Sequence, residues 1–194
     1  MAREDTHVPE LTFVRHLPLS QAAVELAVQL HAGQLRDSDG ASFVMHPMEV
    51  ASLLDRSAYP DFVVAAAVLH DVIENTDEEL DDLEARFGPD VAGLVALVSD
   101  DPAIDDDDAR KDDTRDRVRA AGGYALAVYA ADKVSKVREI RTALAGGATW
   151  DDLARKLDRH RASLGMLAET MPESRLVELL RFEIEALDEL PPGG

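Results

Sequence analysis

The sequence predicts an all-α protein that forms a single domain of about eight or nine helices. Apolar residues recur at three- and four-residue spacing in most segments, and no alternating strand pattern or internal repeat is visible. The 194 residues are 46% hydrophobic but only 5% aromatic, so the core must be built from Ala, Leu and Val. We expect residues 1–19 to be an N-terminal lead-in and residues 20–194 to be the domain.

Charge and cysteine content restrict the classes of ligand. The formal net charge of −19 argues against double-stranded nucleic acid and anionic membranes as partners, whereas a small nucleotide can still bind in a locally basic pocket. The chain has no cysteine, so any metal must be bound by His, Asp or Glu. No signal peptide or transmembrane run is apparent, which favours a cytoplasmic location. The oligomeric state is left open.

The first half of the chain predicts three helices. A helical pattern starts at Ser20 and is followed by a loop over residues 34–45, with its turn at Gly40. Pro47 suits the first turn of a short second helix. Residues 60–73 are almost entirely apolar and predict a helix that is buried on most sides.

The second half predicts several more helices. Thr76 and Glu79 match a capping box for a helix that Gly88 ends, and residues 89–98 form the next helix. Residues 100–113, which include four consecutive aspartates from 105 to 108, are predicted to be a solvated loop. The remaining predicted helices cover residues 112–121, 124–144, 149–170 and 172–190.

Four residues are candidate ligands of one metal ion. His70 and Asp71 close the apolar helix, where charged groups are seldom left unless they are paired or bind metal. His46 lies where the preceding loop meets a helix, and Asp132 lies at the edge of the buried stripe of the long helix. Two imidazoles and two carboxylates suit Mn²⁺, Fe²⁺, Zn²⁺ or Mg²⁺. The predicted metal site is therefore His46, His70, Asp71 and Asp132.

Further residues near this set have candidate roles, some of them with an alternative. Glu74, one turn after His70, suits a base that activates water. Lys136 can pair with Asp132, four residues earlier, or bind a substrate phosphate. His31 lies on an apolar face and is predicted to be structural. Three other cations can form a basic edge or pair with local aspartates: Lys111, Arg115 and Arg119.

The order of these residues resembles a known family. His46-Pro47, then residues 69–74 (LHDVIE), then Ala131-Asp132-Lys133 are similar to the HD superfamily of metal-dependent phosphohydrolases. The closer resemblance is to the hydrolase domain of the RelA/SpoT alarmone enzymes and their small single-domain relatives. Residues 31–36 (HAGQLR) and 82–91 (DLEARFGPDV) support it, and the resemblance extends mainly over residues 20–145.

The resemblance implies an all-α phosphohydrolase that uses a divalent ion. The ion would be Mn²⁺ in the first place and would bind the four predicted ligands. The reaction would remove the 3′-pyrophosphate from guanosine tetra- or pentaphosphate, a small nucleotide substrate. The catalytic pair would be Glu74 and Asn75, and Arg36, Lys133 and Lys136 would neutralise phosphate charge.

The chain departs from the family pattern at several positions. The family has Glu-Asp where this chain has Glu74-Asn75, and an amide cannot take up a proton. Lys136 and Glu139 replace an Asn and a Thr that lie near the nucleotide. Ser42-Phe43 replaces the usual Pro-Tyr. Two alternatives follow: a divergent HD-domain hydrolase of another nucleotide, or a catalytically weakened nucleotide-binding module.

Overall fold

The computed structural model describes residues 12–190, and within that range the regular structure is helical. It contains ten α-helical segments, of which one is a single turn, and this confirms the predicted all-α class and helix number. Residues 1–11 of the predicted lead-in lie outside the described range, whereas residues 12–16 form a short 3₁₀ helix. None of the helices in residues 12–190 has the length and hydropathy needed to cross a membrane. The cytoplasmic location stays a prediction.

The N-terminal half is arranged around one buried helix. α3 (Asp61–Leu69) has seven consecutive residues, 63–69, that are completely inaccessible to solvent. It packs against α1, α2, α6 and α8, which explains why its sequence is apolar on every side. The other elements of this half are α1 (Pro18–Leu30), α2 (Met45–Arg56) and the single turn α4 (Val72–Asn75).

The predicted helix over residues 60–73 is interrupted, and the expectation of one continuous helix was wrong. α3 ends at Leu69, and α4 starts at Val72 after a turn formed by His70 and Asp71. In a continuous helix the side chains of His70 and Asp71 would point about 100° apart and could not both face the same site. The Ser99 hydroxyl lies 3.2 Å from the His70 carbonyl oxygen, a hydrogen-bonding distance at the break.

The C-terminal half packs around a second long helix. α8 (Gly123–Ala145) contacts α2, α9 and α10, and its buried residues include Asp132 and Ser135. Gly88, with φ of 86°, ends one helix and precedes the next, as predicted. The other helices are α5 (Leu80–Phe87), α6 (Pro89–Val98), α7 (Asp107–Ala121), α9 (Trp150–Thr170) and α10 (Arg175–Asp188).

Two local predictions in this half were wrong. Thr76 does not cap α5, because that helix starts at Leu80; the Thr76 hydroxyl instead donates to the Val72 carbonyl at 2.7 Å. The aspartate run is not a loop throughout, because α7 starts at Asp107. Asp106 caps it by accepting a hydrogen bond from the Ala109 amide at 2.8 Å. Carboxylates in a first helical turn are stabilised by the helix dipole, so the run serves as a helix start.

Candidate metal centre and the adjoining cleft

Two imidazole rings meet in the interior between α2 and the end of α3. His46 and His70 are 0% and 3% exposed, and their Nε2 atoms lie 3.3 Å apart. The Nδ1 atom of His70 lies 2.8 Å from the Ala67 carbonyl oxygen, which can only accept a hydrogen bond. The proton of the neutral ring is therefore on Nδ1, and its Nε2 lone pair faces His46.

Two buried carboxylates complete this cluster. Asp132 Oδ1 lies 3.2 Å from His46 Nε2 and 3.6 Å from His70 Nε2. Asp71 Oδ2 lies 3.5 Å from His46 Nε2, and its Oδ1 lies 3.3 Å from His70 Nε2. Asp132 Oδ1 and Asp71 Oδ2 are both buried and accept no hydrogen bond within the described residues. Nitrogen and oxygen acceptors thus converge on one point, where a cation would satisfy them.

The pKa shifts in the cluster show that it stabilises positive charge. Burial by itself would lower the pKa of His46, but the carboxylates of Asp132, Glu139 and Asp71 outweigh burial and raise it to about 9. Burial would likewise raise the pKa of Asp132, but Lys133 and the imidazoles hold it well below its usual value. Ligand atoms of His46, His70 and Asp132 all lie within 4.8 Å of one another, a spacing that one ion could span.

Two lysines of α8 lie between this cluster and the protein surface. Lys133 Nζ is 2.6 Å from Asp132 Oδ2 and lies 4.3 Å from the centre of the Tyr129 ring. Lys136 Nζ is 3.9 Å from Asp71 Oδ2, so the carboxylate it approaches is that of Asp71, whereas the sequence left open a pair with Asp132 or a role in binding phosphate. Lys133 pairs with Oδ2 of Asp132, so Oδ1 is the oxygen that lies near the two imidazoles.

A cleft of about 730 Å³ adjoins the cluster, and basic residues outnumber acidic residues in its lining. All four lysines of the sequence line it, although the whole chain carries a net charge of −19. The acidic residues among its lining are Asp37 and Glu139. The basic residues that line it are Arg36, Lys111, Arg115, Lys133, Lys136, Lys156 and Arg159.

The arginines of the cleft are mostly held by neighbouring aspartates. Arg36 pairs with Asp39 across the turn at Gly40, and Arg115 pairs with Asp112. Lys156, in contrast, is exposed and makes no ion pair within the part of the chain that the structure describes.

The other predicted basic residues also have carboxylate partners. Lys111 pairs with Asp100, whereas Arg119 pairs with Glu169 and is not among the residues that line the cleft.

The predicted catalytic pair divides between two environments. Asn75 lines the cleft, and its backbone carbonyl accepts a hydrogen bond from Gln34 Nε2 at 2.9 Å. Glu74 is not among the described lining residues, and its Oε1 accepts a hydrogen bond from the Asp100 amide at 2.9 Å. Loss of hydration and the charges of Asp71 and Asp100 raise the pKa of Glu74, which makes its carboxylate more basic.

Sequence reasoning missed two features of this region. His160 of α9 lines the cleft, and burial together with the nearby Lys133 lowers its pKa to about 3. Ser135 and Glu49 lie behind His46, on its Nδ1 side. No motif in the sequence marked His160 as a cleft residue, whereas the concentration of four lysines between residues 111 and 156 was visible there.

His31 is 1% exposed, and its Nδ1 atom lies 2.8 Å from Gln34 Oε1.

The family model described as the HD domain matches residues 23–159. The chain therefore belongs to the HD-domain family, and the resemblance found in its sequence is confirmed.

Two curated relatives and one solved structure are similar to this chain. The guanosine-3′,5′-bis(diphosphate) 3′-pyrophosphohydrolase MESH1 of Mus musculus is 35% identical over 61% of this chain and 67% of its own length. The protein of the same name from Drosophila melanogaster is 31% identical over 66% of this chain and 73% of its own length. A solved structure described as a metazoan ortholog of SpoT that hydrolyzes ppGpp superposes with a TM-score of 0.77. It is 28% identical and covers 89% of this chain and 97% of that one.

Proposed function

We propose that this protein is a metal-dependent phosphohydrolase that removes the 3′-pyrophosphate from guanosine 3′,5′-bis(diphosphate). The observation that carries the proposal is the gathering of all four lysines in one cleft beside a buried His/Asp cluster, within a chain of net charge −19. A substrate with two pyrophosphate groups is the kind of polyanion that such a cleft attracts locally. The names of the MESH1 relatives support the same substrate.

The proposed metal ligands are His46, His70, Asp71 and Asp132. Their support is the approach of the two imidazole Nε2 atoms to one oxygen each of Asp71 and Asp132 that is buried and accepts no hydrogen bond within the described residues. We propose Mn²⁺, with Fe²⁺, Zn²⁺ and Mg²⁺ as alternatives, because mixed imidazole and carboxylate sites accept all of these ions. A divalent cation held there polarises a phosphoryl oxygen and promotes deprotonation of a water molecule.

The surrounding residues have separate proposed roles. Lys133 and Lys136 neutralise the pyrophosphate at the junction of cluster and cleft, and Arg36, which also lines the cleft, binds phosphate. Glu74 accepts a proton from the attacking water, which is consistent with its raised pKa. Asn75 holds that water by a hydrogen bond but cannot take its proton. One water is consumed, the bond between the 3′-oxygen and phosphorus breaks, and the products are GDP and pyrophosphate.

The proposal is tested by incubating the purified protein with Mn²⁺ and guanosine 3′,5′-bis(diphosphate). Nucleotide products are separated by chromatography and pyrophosphate is measured independently. We expect GDP and pyrophosphate in equal amounts, and loss of both in the His70→Ala variant. GDP offered as substrate is the control, because it has no 3′-pyrophosphate. Release of orthophosphate from other nucleotides instead would favour a divergent HD hydrolase with another substrate.

A second candidate is a nucleotide-binding module with weakened catalysis. Asn75 favours it, because this cleft residue cannot exchange a proton. The contact between Lys136 and Asp71 favours it as well, since an ammonium near a ligand carboxylate competes with a metal ion for that charge. The two candidates separate in one experiment, because a binding module would bind the nucleotide by calorimetry while its products stay undetectable.

We also propose that residues 20–194 form one domain. The support is the packing of α10 against α8 and α9, with Leu176, Leu180 and Ile184 buried in the shared core. The family match ends at residue 159, so this proposal extends the domain by about one and a half helices. Residues 191–194 lie outside the described range.

A further inference from the structure

A chain of hydrogen bonds extends from His46 away from the cleft. Its Nδ1 atom lies 2.9 Å from the Ser135 hydroxyl oxygen. That hydroxyl lies 2.7 Å from Glu49 Oε2. Ser135 is completely inaccessible to solvent, so water cannot substitute for either contact.

The direction of these hydrogen bonds follows from the chemistry of the groups. A carboxylate can only accept, so the single proton of the Ser135 hydroxyl goes to Glu49. The hydroxyl oxygen must then accept from His46, which places the imidazole proton on Nδ1. In a neutral ring this leaves the lone pair on Nε2, the atom that faces His70 and Asp132.

The far end of the chain is anchored on the C-terminal helix. Arg138 donates to Glu49 Oε1 at 2.7 Å and to Glu183 Oε1 at 2.6 Å. Glu183 of α10 is 4% exposed and also accepts from Arg141 at 2.7 Å. These two arginines neutralise a buried carboxylate, so α10 is tied to the helix that presents Asp132.

We propose that Ser135 and Glu49 are positioning residues that fix the ring orientation and the tautomer of His46, so that its Nε2 is ready to bind a metal ion. The inference rests on the metal centre proposed above and adds residues from α2, α8 and α10 to it. Hydrogen-bond partners of this kind raise the basicity of a ligand histidine, and their loss commonly weakens metal affinity 10- to 100-fold, as an order of magnitude.

Glu139 is the alternative partner on the same side of the ring. Its Oε1 lies 3.1 Å from His46 Nδ1 but accepts no hydrogen bond within the described residues. Ser135 therefore provides the directed contact, and the Ser135→Ala variant tests whether that contact matters while Glu139 remains in place.

The experiment measures Mn²⁺ affinity by titration against a competing chelator, with Ser20→Ala as the matched control. Ser20 is also 0% exposed and also donates to a carboxylate, that of Asp61 at 2.6 Å, but it lies in α1 away from the cluster. We expect Ser135→Ala to bind Mn²⁺ at least about tenfold more weakly and Ser20→Ala to stay within about twofold of the parent protein. Thermal unfolding of the metal-free variants checks that both are folded.

NMR spectroscopy tests directly whether His46 carries its proton on Nδ1. In the Zn²⁺-loaded protein, which is diamagnetic, we expect a slowly exchanging His46 Nδ1 proton in the NMR spectrum and its loss in Ser135→Ala. Unchanged Mn²⁺ affinity in Ser135→Ala, or an Nδ1 proton that persists in it, would overturn the positioning role alone. Failure of the parent protein to bind Mn²⁺ or Zn²⁺ would overturn the metal centre and this role with it.

Discussion

At the residue scale, identity and order in the sequence predicted which side chains meet, but not which atoms they use. His46, His70, Asp71 and Asp132 do converge, because each stands where a buried element turns polar. The carboxylate that Lys136 approaches was not predictable, since a flexible four-carbon stem can reach several carboxylates from one backbone position. The contact between Ser135 and Glu49 joins residues 86 positions apart, so it became visible only in the folded chain.

Asn75 is the residue at which we expect the rate to respond most directly. Asn75→Asp introduces a proton acceptor at a position that lines the cleft. General base groups contribute at least about 100-fold in favourable cases, so we expect a turnover number raised by about tenfold or more. Turnover of the nucleotide at saturating Mn²⁺ measures this. Asn75→Ala is the control, and an aspartate variant no faster than the alanine variant would show that Glu74 needs no second acceptor.

His160 gives the protein a specific dependence of stability on pH. Burial and the neighbouring lysine lower its pKa to about 3 in the folded state, whereas an unfolded histidine has its ordinary pKa of about 6.5. The unfolded chain therefore binds this proton first, and the free energy of unfolding falls as the pH drops below about 6.5. We expect His160→Gln to reduce this loss between pH 7 and pH 5 in denaturant titrations.

The matched control for that prediction is His16→Gln, because His16 is exposed. His31 changes the free energy of unfolding with pH in the same direction as His160, since burial lowers its pKa too. His46 changes it in the opposite direction, because its pKa is raised. Equal pH slopes for the parent protein and His160→Gln would contradict a buried neutral imidazole at this position.

At the element scale, helices with a clear apolar period were predicted to within a few residues, and the errors fell where a polar group ends a helix. The continuous apolar run concealed the break between α3 and α4, because the break is set by what His70 and Asp71 must face. The aspartate run concealed the start of α7, because its charge is stabilised by arginines distant in sequence. Asp108, for example, pairs with Arg155 and Arg159.

The capping box of α9 provides a test at this scale. Thr149 accepts a hydrogen bond from the Asp152 amide, and the Asp152 side chain accepts one in return from the Thr149 amide. Loss of a cap of this kind costs about 1 kcal/mol, so we expect Thr149→Ala to lower the free energy of unfolding by that amount. Urea denaturation measures it.

Thr142→Ala is the control for the cap, since Thr142 is exposed and donates only to the Arg138 carbonyl of its own helix. We expect that variant to change stability by less than about 0.5 kcal/mol. Comparable losses in the two variants would mean that the box does not stabilise α9.

At the scale of the whole molecule, the distribution of charge matters more than its sum. A net charge of −19 argues against large polyanions as partners, yet it conceals a cleft in which every lysine of the chain is found. The sequence carried this signal in the position of its few lysines. Only the packing of α7, α8 and α9 around the cleft revealed that the four lysines share one surface.

Lys156 tests this local reversal of charge. We expect Lys156→Gln to raise the KM for the nucleotide several-fold at low ionic strength, with kcat nearly unchanged, because the residue attracts phosphate without touching the metal ligands. The difference should shrink as salt is added, since the Debye length is only about 10 Å at 0.1 M. Arg56→Gln changes the net charge equally at an exposed site on α2 and serves as control. An equal rise in KM in both variants would assign the effect to total charge.

The central claim is that one divalent ion joins His46, His70, Asp71 and Asp132 beside the cleft. An anomalous difference map from crystals grown with Mn²⁺ tests it most directly. We predict one strong peak within about 2.3 Å of His46 Nε2, His70 Nε2 and at least one oxygen of each carboxylate. A map without a peak at this cluster, or with Mn²⁺ bound only at surface aspartates, would contradict the account.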